Sequence, residues 1–288
     1  MADKNSPTLG DLVHAYVVEQ TTVIIDAESA LRQREPVIHA TRVACRRLRS
    51  TLRTYAEVFD TARAGGLEDE LVWFAGLLGE VRDLEVLEAR LLADLAELPP
   101  ELVVGGVAAQ IETELTTGRR VAWDAVVAVL DDDRYRRLLA ELHRWRSDTP
   151  LTSAAGAPAA KVKGYVKRAG KKLDKRLDRA IEAHLTGDPE ADHLLHAARK
   201  AGKRARYAVE LAAPFLGAKA ERIIAGRKDL QDVLGEHQDS IVAGQFLRAE
   251  GVRLGNRSGH NGFTYGLLYG HELARQSAIG EQLRPFLS

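Results

Sequence analysis

His39, Arg42, Arg46, Arg49 and Arg53 follow one another at intervals of 3, 4, 3 and 4. At about 100° per residue, that spacing gathers all five on one narrow stripe of a helix. No acidic residue lies between Glu35 and Glu57 to answer the charge. The other face carries Thr41, Cys45, Leu48, Leu52, Tyr55 and Phe59, which can anchor the helix in a core. A row of uncompensated cations held in this way is suited to an anion longer than a single group.

The arrangement recurs. His196, Arg199, Lys203 and Arg206 repeat the 3, 4, 3 spacing, with Lys200 and Arg204 on the flanks and no acid between Asp192 and Glu210. A second pair of segments, LLGEVRDLEVL around Asp83 and VLGEHQDSIVA around Asp239, is separated by almost the same offset as the two histidines, 156 against 157 residues. Two markers at one offset indicate an internal duplication. One charged stripe taken alone is equally well a solvated helix face, but solvated surface has no reason to preserve both the histidine and the spacing. Tyr207 falls on the second ridge and can either pack or meet a ligand.

A third stripe, Lys161, Arg168, Lys172, Lys175 and Arg179, steps by 7, 4, 3 and 4. Lys163, Lys167 and Lys171 fall on another face of the same helix, nearer Asp174 and Asp178, and read as solvated. Formal net charge is zero, from 41 basic and 41 acidic residues. The stretches 37–56, 161–179 and 193–209 nevertheless hold 19 of the basic residues and only two of the acids, Asp174 and Asp178. Charge is therefore segregated, and an acidic exterior around a cationic groove would focus the field there and discourage indiscriminate binding.

Those stripes need helices to carry them. The 288-residue chain is rich in Ala and Leu and poor in aromatics and β-branched runs, so an all-α fold is expected. Residues 1–8 are polar and expected to fray. Helices are expected over Leu9–Arg32, with Leu12, Tyr16, Val23, Ala27 and Ala30 inward, from Pro36 to about Asp60, and over Leu67–Leu98 after Gly65 and Gly66. Residues 101–147 read as helical with a turn and cap at Asp131–Asp133. TPLTSAAGAPAA, residues 149–160, reads as a linker between a first repeat, 9–148, and a second, 161–286. In the second repeat helices are expected at 161–185, 189–216, 218–250 and 261–284, and Asp188 with Pro189 makes a cap pair. Four helices per half suggest two helical bundles.

Cys45 is the sole cysteine, so no intramolecular disulfide framework exists and a cytosolic setting is the simpler reading. No apolar run approaches about 18 residues, and MADKNSPTLGD lacks the basic start and apolar stretch of a signal peptide. No membrane partner is expected.

The duplicated H-x-x-R-x-x-x-[KR]-x-x-R helix at His39 and His196, together with the L-G-x-x-x-D segments at Asp83 and Asp239, resembles the CHAD family, named for conserved histidines in an α-helical domain. The resemblance spans about residues 9–284. It implies two pseudo-symmetric four-helix bundles, a basic channel that binds inorganic polyphosphate, and association with polyphosphate granules in the cytoplasm. Other granule-associated proteins are further candidate partners. One departure is Glu210, where the first repeat has Arg53; the Lys161–Arg179 stripe is expected to compensate. On this reading the polyphosphate-binding residues are His39, Arg42, Arg46, Arg49, Arg53, Lys161, Arg168, Lys172, Lys175, Arg179, His196, Arg199, Lys200, Lys203 and Arg206. Polyphosphate has no base or side group to recognise, so a binder needs a long row of donors. From His39 to Arg53 the ridge runs roughly 21 Å at ~1.5 Å per residue, and arginine forks can each grip two oxygens. The histidines, near helix starts, would add donors that bound anion keeps protonated. Asp83 and Asp239 are expected to hold a ridge arginine or cap a helix, as structural support.

No catalytic residues, metal or cofactor are expected. His193 with Glu190 gives a single E-x-x-H beside His196, and His237 beside Glu236 lacks a partner at ligand spacing. His14, His143, His184, His260 and His271 fit no pattern, and Trp73, Trp123 and Trp145 are expected in cores. The alternatives are a metal-dependent phosphohydrolase acting on polyphosphate or triphosphates, which would need clustered acids, and a nucleic-acid binder, which would need aromatics among the cations. The ridges contain few of either, so nucleic acid is disfavoured as a partner.

Overall fold

The computed structural model describes residues 7–60, 62–63, 66–256 and 261–286. Within them the regular structure is helical, apart from isolated bridges pairing Thr8 with Pro158 and Phe59 with Leu151. Nine α-helices are present among the described residues: α1 Leu9–Arg32, α2 Ile38–Thr54, α3 Leu67–Glu97, α4 Val107–Val129, α5 Asp133–Ser147, α6 Val162–Leu185, α7 Ala191–Leu216, α8 Ala218–Gly255 and α9 Phe263–Leu283. The expected all-α class holds, and most boundaries fall within two residues of those read from the sequence.

Where boundaries differ, local chemistry explains it. Thr8 is not frayed: its hydroxyl accepts from the Asp11 N–H at 3.1 Å while Asp11 accepts from the Thr8 N–H at 2.7 Å, a reciprocal cap that starts α1. The inward stripe of α1 runs through Leu12, Tyr16, Val17, Ile24, Ala27 and Leu31, leaving Val23 exposed and Ala30 half-buried. Helix α2 starts at Ile38 rather than Pro36 and stops at Thr54. It ends there because Tyr55 is fully buried and donates its hydroxyl to the Ala208 carbonyl at 3.1 Å, and a short 3-10 turn, Ala56–Val58, follows. The stretch 101–147 forms two helices, and Asp132 caps α5 by accepting from the Arg134 N–H at 2.6 Å. Gly66, at φ 78°, precedes α3; Gly65 lies outside the described residues.

Contacts divide the chain into two compact units, each drawing on helices from both sequence halves. The first takes in the described residues of Met1–Gly79, Trp123–Arg176 and Lys200–Lys228. Tyr55, Phe74, Tyr135 and Trp145 fill its core, with Tyr55 against Tyr165 at 4.6 Å, Phe59 against Trp145 at 5.6 Å and Phe74 against Tyr135 at 5.2 Å between ring centres. Each such ring, fully buried, contributes about 1.5–3 kcal/mol or more. Residues 149–160 belong to this unit. The Leu9 N–H donates to the Ala157 carbonyl at 2.8 Å and the Thr152 N–H to that of Val58 at 2.9 Å. A side chain on Gly10 would come within 2.9 Å of the Ala155 Cβ, so glycine is needed at that approach. Trp123 and Trp145 are buried as expected, but Trp73 is only half-buried and is roofed by the Arg134 guanidinium at 4.1 Å.

The second unit takes in the described residues of Glu80–Ala122, Leu177–Arg199 and Asp229–Ser288. Leu87, Leu91 and Leu95 of α3, Ile111 and Leu115 of α4, Leu247 of α8 and Leu268 of α9 share its core. An ion network centred on buried Glu272 ties α3, α8 and α9. Glu272, wholly buried, accepts from Arg90 at 2.7 Å and from Arg275 at 3.2 Å, Arg90 also reaches Glu236 at 2.7 Å, and Arg275 donates to Asp94 at 2.6 Å. Burial opposes charge on Arg90, but the two carboxylates more than offset it and raise its pKa.

Candidate anion-binding site

In the first unit α2 presents the histidine-led stripe as its spacing requires, because Ile38, Thr41, Ala44, Cys45 and Leu48 are buried on the other side. Burial pushes the Cys45 thiol up to about 12, so the lone cysteine is a packing residue there. His39 is exposed in the first turn of α2, and Arg42, Arg46 and Arg49 are half-buried. The Arg42 guanidinium lies against the bare Cα of Gly79 on α3; a Cβ there would stand 3.1 Å from Nη2.

At the end of the stripe α2, α6 and α7 bring five cations together. Arg204 is half-buried, and burial and the guanidinium groups of Arg53, Arg176 and Arg49 push its pKa below the ordinary value, with Glu68 pulling the other way. Lys172 is lowered by partial desolvation and by Arg176, Arg204 and Arg53. The carboxylate within this group, Glu68 in the first turn of α3, accepts from Arg49 at 3.3 Å and from Arg53. Five cations around one carboxylate leave the site strongly positive and under mutual repulsion when empty.

The remaining expected residues have varied settings. In the first unit Lys161, Lys175 and Lys200 are exposed and Lys203 is half-buried. Arg168 stacks over Tyr165 at 4.3 Å and stands 4.0 Å from Glu57. Arg206 pairs with Glu210 at 3.1 Å. In the second unit Arg179 and Asp83 are exposed, and His196 Nδ1 contacts the Gln238 side-chain oxygen. Arg199 stands 3.7 Å from Asp239, and a Cβ on Gly235 would come within 3.9 Å of its guanidinium. The two sequence markers are thus physically joined in both units: a ridge arginine, Arg42 or Arg199, rests on a glycine, Gly79 or Gly235, of the L-G-x-x-x-D helix.

Arg176 and Arg204 belong to the cluster although the stripe rule passes over them. Arg204 lies beside Lys203 on the flank of its stripe, where the absence of acid between Asp192 and Glu210 was a signal for it; Arg176 follows Lys175 between Asp174 and Asp178, and no sequence signal marks it. Arg47, off the first stripe, donates to Glu210 at 2.8 Å. Of the histidines, His237 is buried and 3.0 Å from Asp192, which gives it a partner the spacing did not show. His14 stands 2.8 Å from the Thr149 hydroxyl, and His260 lies outside the described residues. Among the described residues no group of three or more His, Cys, Asp or Glu has metal-site geometry, and no helix is long and apolar enough to cross a membrane.

Two uncharacterized proteins from strains of Mycobacterium tuberculosis are 32% identical over 282 residues, covering 96% of this chain and 52% of each relative. The chain spans about half the length of these curated relatives. Among solved structures, PptA from Streptomyces chartreusis superposes with a TM-score of 0.76 over 97% of this chain and 99% of that one at 21% identity, a likeness of fold. The CHAD domain from the plant Ricinus communis superposes with a TM-score of 0.72 over 100% of this chain and 94% of that one at 26% identity. The CHAD domain family model matches residues 15–248, taking in both histidine-led helices and both L-G-x-x-x-D segments, and the chain belongs to that family.

Proposed function

We propose that this protein binds inorganic polyphosphate without catalysing its breakdown, and that it associates in the cytoplasm with polyphosphate granules and the proteins on them. The observation that carries the reading is the group formed by Arg49, Arg53, Lys172, Arg176 and Arg204, in which burial and neighbouring cations hold Lys172 and Arg204 below their ordinary pKa values. Phosphates laid along the group would replace solvent counter-ions, relieve the repulsion and release the condensed ions of the polymer. His39, Arg42 and Arg46 extend the row along α2, Lys161, Arg168 and Lys175 along the start of α6, and Lys200 and Lys203 along α7. His196, Arg199 and Arg179 supply cations in the second unit, and Asp239 holds Arg199.

Binding of polyphosphate of several lengths at two salt concentrations tests the reading. Affinity is expected to rise with length and, with five charges engaged and a slope of about 0.7 per charge, to fall about a hundredfold between 50 and 200 mM salt. The double variant R53Q/R204Q is expected to bind at least tenfold more weakly while keeping its helicity. Unchanged affinity in that variant removes the cluster from the mechanism. Release of phosphate on adding Mg²⁺ or Mn²⁺ would replace binding with hydrolysis, and equal competition by single-stranded RNA would make the partner a nucleic acid.

A further inference from the structure

Glu210 stands in α7 where the first repeat carries Arg53, and the structure gives the exchange of sign a consequence. Its side chain is only 17% exposed and it meets two hydrogen-bond donors and a second guanidinium of the first unit. The Arg47 Nε donates to it at 2.8 Å, the Tyr16 hydroxyl at 3.2 Å, and the Arg206 Nε stands 3.1 Å away. The buried ring of Tyr207 lies under both guanidinium groups, at 5.8 Å from that of Arg47 and 5.2 Å from that of Arg206. Burial raises the Tyr16 pKa, and the Glu210 carboxylate adds to it, as expected beside a fixed negative charge.

Helix α7 therefore offers two environments two residues apart. Arg204 faces the cations Arg53, Arg176 and Arg49, which outweigh Glu68, whereas Arg206 is paired with the Glu210 carboxylate. A phosphate reaching for Arg47 or Arg206 must displace an intramolecular anion already seated there at high effective concentration. It would also be repelled by that carboxylate if it failed.

We infer that Glu210 is a specificity-determining residue that sets an edge to the phosphate track, withholding Arg47 and Arg206 from the polymer so that the row through Arg53 and Arg204 does not spread onto them. The inference rests on the polyphosphate reading and sharpens it: the track has a built-in edge, and added chain length gains little affinity through these two arginines.

The test compares wild type, Glu210→Gln, Arg47→Gln and Arg204→Gln on polyphosphate of defined lengths, with affinity measured across a salt series and folding checked by thermal melts. Removing the Glu210 charge frees two cations, so the slope of log affinity against log salt is expected to steepen by about 1.4, and the length at which affinity levels off to increase. R47Q is expected to stay within about twofold of wild type, whereas R204Q weakens binding at least tenfold and flattens the slope by about 0.7. An E210Q slope equal to wild type, or an R47Q loss as large as that of R204Q, overturns the inference. Should E210Q fail to fold, R47Q decides alone, because it keeps Glu210 paired with Arg206. A wild-type chain with no salt-dependent affinity overturns the binding reading itself, and the inference with it.

Discussion

The Arg42 guanidinium rests on Gly79, so closely that an alanine Cβ would meet Nη2 at 3.1 Å, and Arg199 lies over Gly235 less closely, where a Cβ would stand 3.9 Å from its guanidinium. The two glycines are 156 residues apart and the two arginines 157, so the repeat seen in the sequence recurs as a repeated packing relation. Glycine inside a helix costs about 0.5–1 kcal/mol relative to alanine, and these positions bear that cost where a ridge arginine crosses the helix.

The difference in clearance makes a prediction. At Gly235 a methyl group enters ordinary contact, so Gly235→Ala is expected to stabilise the protein by about 0.5–1 kcal/mol and leave polyphosphate affinity within twofold. Gly79→Ala forces Arg42 aside; its stability gain is expected to be smaller and its affinity several-fold lower. Paired melts and isotherms check this, and equal behaviour of the two variants would show that the contact with Gly79 does not position Arg42.

Repulsion in the cation cluster makes the empty site a stability defect. Arg204→Gln removes a charge that its surroundings disfavour, so it is expected to raise the melting temperature of the free protein by about 1–4 °C while weakening polyphosphate binding. Polyphosphate at a hundred times its dissociation constant should add about 2.7 kcal/mol to wild type. A destabilised R204Q would mean that Arg204 packs better than it repels.

The same cluster sets the alkaline limit of binding. The folded pKa of Lys172 is depressed, so its charged form costs stability at neutral pH, and stability recovers as pH rises through the folded value toward the ordinary 10.5. Bound polyphosphate favours the ammonium form and raises that pKa. Binding is therefore coupled to proton uptake at alkaline pH, and affinity is expected to weaken as pH rises through the depressed folded value toward 10.5, less so in Lys172→Gln. Calorimetry in buffers of different ionisation enthalpy measures the uptake; none anywhere between about pH 7 and 10.5 would exclude Lys172 from the ligand's surroundings.

The stripes were readable in the sequence because they are properties of single helices: five positions at helical spacing and a stretch without acid need no knowledge of neighbours. The all-α class followed from composition for the same reason. Which cations meet was not readable, since Arg49 and Arg53 reach Lys172, Arg176 and Arg204 only through packing of α2, α6 and α7. Glu68 sits within twenty residues of Arg49, yet its role depends on the turn at Gly66 that brings α3 back against α2. Glu210 was visible as a break in the pattern, but not Arg47 and Tyr16, its partners on other helices. His237 and Trp73 show the same limit: each found a partner, Asp192 or Arg134, that local spacing does not specify.

Acid stability should be governed by the second unit. Burial depresses the pKa of His237, although Asp192 pulls it upward and His184 adds to the depression, so the folded state holds it neutral more firmly than the unfolded chain does. A depressed value means stability is fully present above the unfolded pKa near 6.5 and is lost as pH falls through the folded one. Asp94 follows the same sign lower down. Burial would raise it, but Arg275 and then Arg90 hold it below the usual carboxylate range, and its contribution is present above about pH 4 and fades beneath it. Stability is thus expected to decline in two stages on acidification. His237→Gln should remove the decline that begins near pH 6.5 and leave the one below pH 4. Glu272→Gln leaves Arg90 and Arg275 with weaker buried partners and is expected to cost about 3–5 kcal/mol at pH 7, as breaking a buried ion pair does. Urea melts from pH 3 to 8 distinguish the two, and an H237Q profile parallel to wild type across pH 5–7 would place the first stage elsewhere.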